Sequence, residues 1–222
     1  MRILRALAIA GVGALCVSCS SSSDRSEPTT ARDTQESNSQ ETVNVTSASE
    51  APPTDPALAL ATLNGELEAL TDQLGDPAIA AAARAVLEDG GADPPLRFAA
   101  TYVWANVGDD PSVLVPLLAD TDHAVVITAA IGIIAQGGID GFAPLIAALT
   151  TSTPLAYYDT GEPEWSAATV ALVQFTGVST NGPPFDADAG QLLLSQQRWQ
   201  SWLEQNRATL TFDAAIAQWR TA

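Results

Sequence analysis

The sequence predicts an all-α fold, an α/α superhelical solenoid of about four helix pairs closed at its C-terminal end by a tryptophan-rich cap. Three observations carry that prediction. Asp-Pro dipeptides recur at Asp55, Asp76, Asp93 and Asp110, and an Asp followed by proline at the first helical position marks a helix start. Similar helix pairs return after 28 or 29 residues, the spacing of a stacked helical repeat. No stretch alternates apolar and polar residues with period two over a strand's length.

Two segments of different character precede the helices. Arg2 and Arg5 are the only charges in the first 23 residues, and Ala6 to Val17 is an unbroken apolar run of 12. A spanning helix needs about 20 residues, so residues 1–18 read as a secretory signal. The two cysteines, Cys16 and Cys19, stand C-x-x-C at its end. A redox pair or half a metal site would need a folded setting such as a helix start in a βαβ unit, and none is present. The pair therefore reads as a processing site. Residues 19–55 are rich in Ser, Thr, Glu, Gln and Pro and hold no aromatic. Such a segment cannot offset its ordering entropy and is expected to be a disordered tether. Ser20 to Asp55 counts 36 residues, with a root-mean-square span of about 35 Å.

The chain of 222 residues carries a net charge of −17, and its nine basic residues are all arginine. Loss of Arg2 and Arg5 with the signal takes the charge from −17 to −19. A surface this acidic repels phosphates, which argues against nucleic acid as a partner and against a polybasic membrane contact. Solubility accounts for much of the charge. A protein partner of basic character, or divalent cations, would complement it.

Residues 56–222 form the repeat domain. Leu60, Leu63, Leu67, Leu70 and Leu74 are spaced 3, 4, 3, 4, one apolar stripe on a helix. A weaker copy of the repeat opens at Asp76. The first clear unit, "DPPLRFAATYVWANVGDDPSVLVPLLAD", starts at Asp93, and the second, "DHAVVITAAIGIIAQGGIDGFAPLIAAL", at Asp122. Ala100 aligns with Ala129, Gly108 with Gly137, and Pro116-Leu117-Leu118 with Pro144-Leu145-Ile146. Asp122 and Asp140 are expected to cap helices without a proline, and Gly75, Gly90-Gly91, Gly108 and Gly137-Gly138 to stop them. Ala99 and Ala100 permit close helix approach. Another copy ends at Gly177. Trp199, Trp202, Leu203, Phe212 and Trp219 read as the cap that seals the last unit.

Two resemblances follow from these residues. Val17-Ser18-Cys19 resembles the end of a bacterial lipoprotein box, with Cys16 where that box usually holds Leu. The resemblance implies lipidation at Cys19, an address in the cell envelope facing the periplasm or the outside, and the outer membrane in a Gram-negative cell, since Ser20 is not the retention Asp. Its two or three acyl chains would suffice as an anchor, at about 0.8 kcal/mol per buried CH₂. The pattern of Asp, then Arg97 or Val126, then Ala-Ala, Gly and Pro-Leu-Leu resembles bacterial HEAT-like repeats over about residues 76–212. That likeness implies a superhelix that binds macromolecules, usually proteins, without chemistry of its own.

The search for chemistry is short. His123 is the sole histidine and is expected to be a surface residue in a helix's first turn, with no companions for a zinc site or a Ser-His-Asp triad. "DADAG", Asp186 to Gly190, fits two positions of a calcium loop, but Gln191 and Gln197 stand where Gly and Glu belong. It reads as a turn and helix cap. "YYDTGEPEW" lies in the long loop between the second helix pair and the next helix and joins Tyr157, Tyr158 and Trp165 to Asp159, Glu162 and Glu164. Tyr157, Tyr158, Asp159, Glu162 and Trp165 are the candidate partner-binding residues; packing back on the array is their plainer use. Tyr102 and Trp104, two apart on one helix, are expected one in the core and one toward a groove. The reading is a lipid-anchored, non-catalytic interaction scaffold with no cofactor, metal or catalytic residue. A small-ligand or divalent-cation binder, or a hydrolase of unrecognised type, is the alternative.

Overall fold

The computed structural model describes residues 67–157 and 161–221. The signal segment, Cys16, Cys19, the tether and the first Leu positions of the stripe lie outside the described residues, as do Tyr158 and Asp159. Among the described residues seven α-helices follow in chain order: α1 (Leu67–Gln73), α2 (Pro77–Asp89), α3 (Pro94–Val107), α4 (His123–Ala135), α5 (Phe142–Ala148), α6 (Glu164–Thr176) and α7 (Ala189–Asn206). Tight 3₁₀ turns at Pro111–Val113 and Val115–Ala119 stand between α3 and α4, and another at Ile139–Gly141 leads into α5.

The Asp caps form as their sequence requires. The carboxylates of Asp76, Asp93 and Asp122 accept from the backbone N–H of Ala78, Leu96 and Ala124, satisfying donors that a helix start leaves orphaned. Asp110 does the same for the turn at Pro111. Asp188 and Gln191 form a full capping box on α7. Asp140 departs from expectation. It falls inside the 3₁₀ turn, and α5 starts after Gly141 with no side-chain cap.

Among the described residues the fold is helical apart from one short antiparallel hairpin, β1 (Leu210–Asp213) with β2 (Gln218–Thr221), Phe212 opposite Trp219. This mostly helical architecture is consistent with the all-α prediction and adds the short hairpin to it. Strands of four residues are too short to show an alternating pattern, and their stability comes from what they pack on.

The centre of the molecule is α4, buried from Ala124 to Ile134 except at Val126. It packs against α3, Val115–Ala119, α5 and α6, while α3 also takes α1 and α2, and α5 also meets α6 and α7. Ile127, Ile131, Ile133 and Ile134 are all buried, each contributing about 1.5–3 kcal/mol of transfer free energy. Small residues set the spacing. Ala99, Ala100 and Ala129 have no exposed surface, and a Cβ on Gly132 would stand 2.5 Å from the Cβ of Ala105, so α3 and α4 meet backbone to backbone. Tyr102 and Trp104 are both buried, contrary to expectation. They point to opposite sides of α3, and both sides are covered. Tyr102 pairs its hydroxyl with Thr71 of the α1 segment at 2.9 Å; Trp104 donates to the carbonyl of Asp110 at 3.1 Å and lies under the Arg84 guanidinium.

The aromatic cap assembles on Phe142. Trp202 and Trp219 flank its ring at 6.0 and 5.5 Å between centroids, and Trp199 meets Trp202 edge-on. Trp219 Nε1 donates to the carbonyl of Ile134, one of the orphan acceptors at the end of α4. Gly137, at φ 87°, lies against the Phe212 ring, where only glycine combines that backbone with that contact. Among the described residues no helix is long and apolar enough to cross a membrane.

Candidate functional site

The N-terminal ends of α3, α4 and α6 meet along one edge, with Thr153 to Ala156 beside them. Arg97, in the first turn of α3, reaches Asp120 in a two-pronged ion pair at 2.7 and 2.9 Å and donates also to the Ala92 carbonyl. The hydrogen bond from Arg97 holds the Asp120 carboxyl below its usual range. Asp120 accepts in turn from the N–H of Asp122. Asp122 therefore does two things: it caps α4 through Oδ1 and accepts the Tyr157 hydroxyl through Oδ2 at 3.0 Å.

Tyr157 is held on both its face and its hydroxyl. Its ring stacks on Phe98 at 4.7 Å, and its backbone sits at φ 67°, a left-handed conformation uncommon for a tyrosine. Burial, first, and the bond to Asp122, second, push the phenol up to about 12. The loop closes below it through a Pro154–Pro163 bridge and bonds from Leu155 N–H to Glu162 C=O and from Glu164 N–H to Thr153 C=O. Of the predicted contact residues, Tyr157 thus faces the array. The Glu162 carboxylate accepts from Ser166, and Trp165 is half-buried at the start of α6.

A pairing between distant residues was missed by sequence reasoning. His123 Nδ1 lies 3.0 Å from Glu164 Oε1, with the imidazole 68% exposed and the glutamate side chain 4%. A carboxylate this buried needs a donor, and His123 supplies it across 41 positions of sequence. Two concave surfaces flank the pair. One, of about 500 Å³, lies between Leu118, Ile127, Pro144 and Ala147, with Asp120 at its rim. The other, of about 490 Å³, runs from Pro94 past Asp122 to Leu155. Both include His123 and Glu164. The pair can orient an imidazole and exchange a proton with a bound group. Among the described residues no serine or cysteine lines either surface. Among the described residues no three His, Cys, Asp or Glu side chains gather closely enough to hold a metal. Asp188, from the calcium-like stretch, is taken up by its capping role.

No family model, no curated protein and no solved structure matches this chain. Its functional reading rests on its own residues.

Proposed function

We propose that this chain is a lipid-anchored protein of the bacterial cell envelope, in which a HEAT-like array of helix pairs acts as a non-catalytic scaffold for a protein partner. The observation that carries the reading is the succession of packed helices: α1 on α3, α3 on α4 and α4 on α6, with α5 and α7 on the following elements. No single pair buries its apolar face alone, so neighbours share a core, as in a repeat array whose surface is free to bind. Tyr158, Asp159 and Glu162 of the loop, with Trp165 at the start of α6, offer the partner aromatic and acidic groups, and the net charge of −17 favours a basic one. Tyr157 serves that surface as its inner anchor.

The anchor of the reading is lipid on Cys19, left as the N-terminus when residues 1–18 are removed. Mass spectrometry of the membrane-bound N-terminus is expected to find acylated Cys19; an unmodified start at Ser20 or beyond contradicts it. Capture from membrane extract on residues 56–222 is expected to recover a stoichiometric protein. Turnover of a substrate, or a bound small molecule with no protein, would overturn the scaffold reading. That second outcome is the one the His123–Glu164 pair and its two flanking surfaces favour, as a small-ligand site or a hydrolase of unrecognised type.

A further inference from the structure

The loop between α6 and α7 holds a side chain that its own fold does not use. Phe185 is 97% exposed, the most exposed large apolar residue among those described. Pro183 and Pro184 precede it and Asp186 follows. The Asp186 carboxylate is exposed and has no hydrogen-bond or ion-pair partner among the described residues. Water around a phenyl ring is unfavourable by about 1.5–3 kcal/mol relative to burial, so the loop presents unspent apolar surface beside an unpaired charge.

Next to this loop a groove of about 370 Å³ runs along the outer face of α7. Leu194, Gln197, Arg198, Ser201, Trp202 and Gln205 line it at helical spacing, and Asn181 of the loop closes one side. Leu194, 52% exposed, and the half-buried Trp202 supply its apolar surface. Arg198 is its one charge, and like Arg207 it has no ion pair among the described residues, whereas Arg84, Arg97 and Arg220 are paired with Glu88, Asp120 and Asp213. On a chain so acidic, an unpaired arginine beside apolar surface is matched by an acid that follows an aromatic, which is what the loop offers.

We infer that the Phe185-Asp186 arm of one copy seats in the α7 groove of a second copy, and the second copy's arm in the first. Phe185 rests on Leu194 and Trp202, and Asp186 pairs with Arg198. The chain does not fill its own groove, since Phe185 stands in solvent. Arm and groove nevertheless share Asn181 and so adjoin on one surface. Adjacent arm and groove are what a two-fold contact needs, because a single rotation engages both exchanges. Pro183-Pro184 fixes two backbone torsions in the arm and lowers its ordering cost on docking. Two small arms fall at the low end of interface sizes, below about 1,200 Å², so the dimer is weak and concentration-dependent.

Sedimentation velocity of the full chain in density-matched detergent tests this. A reversible monomer–dimer equilibrium is expected. Phe185→Ala and Arg198→Glu should each weaken it about tenfold or more, and Asp186→Arg combined with Arg198→Glu should restore it. An unchanged melting temperature in each variant separates a lost contact from a lost fold. A monomer at every concentration, or a dimer indifferent to these substitutions, overturns the inference and leaves the scaffold reading standing.

Discussion

Two loops of this chain set an aromatic residue among prolines, glycines and acids, and the two rings end in opposite places. In the 149–163 loop, Tyr157 lies on Phe98 and bonds Asp122. In the 177–188 loop, Phe185 lies in water. Composition does not separate them; their surroundings do. Tyr157 meets an aromatic floor on α3 and a carboxylate fixed by Asp120 and Arg97, enough to offset a left-handed backbone that costs on the order of 1–3 kcal/mol. Phe185 has no hydroxyl and no ring neighbour among the described residues. An aromatic loop is thus inner anchor or outer contact according to what stands opposite it.

The contrast can be broken first at its platform. Asp120→Ala strands the Arg97 guanidinium and loosens the Asp122 carboxylate, at a cost of about 3 kcal/mol, read by denaturant unfolding. The same contact has a pH signature. The Asp120 carboxyl is depressed in the fold, so its stabilisation is complete above the ordinary carboxylate range near pH 4 and is lost as pH falls through the lower folded value. Acid unfolding of Asp120→Asn should lack that component. Tyr157→Ala comes next, at about 2–3 kcal/mol for the lost stack and hydrogen bond.

Tyr157→Phe keeps the ring and removes the hydroxyl bond to a charged acceptor, worth about 1.5 kcal/mol. Its phenol is raised to about 12, so this contribution is whole below pH 10 and is lost between pH 10 and 12. Ultraviolet titration of the wild type should show a late-ionising component from Tyr157 that the variant lacks. The smallest effect is expected at the other loop: Phe185→Ala should change monomer stability by no more than about 0.5 kcal/mol. A large loss there would mean that Phe185 packs on its own fold and would erase the comparison.

What was legible in the sequence was local. Asp76, Asp93 and Asp122 cap because the bond is to a backbone two or three residues away, and Ala100 and Ala129, which align in the sequence, are both buried, on α3 and α4, which pack together. Asp140 misled because the chain tightens at Ile139–Gly141 and α5 begins after it. The hairpin was hidden by strands of four residues that gain their stability from Phe142 and the end of α4. Trp104 went to the core because α2 covers the face of α3 that would otherwise border a groove. The His123–Glu164 pair lies 41 residues apart, and nothing local in either segment announces the other. The exposed arm was legible only in part: Asp186 and Asp188 drew attention as a calcium-like stretch, whereas Phe185 between them and the prolines carries the inference.

The scaffold reading is tested most directly by photo-crosslinking in the native membrane, with a benzophenone side chain placed at position 165 or at position 185 of the full chain. The account predicts an adduct with a different protein from Trp165 and an adduct of twice the chain's own mass from Phe185. Absence of any protein adduct from position 165 would contradict the scaffold function, whatever position 185 yields.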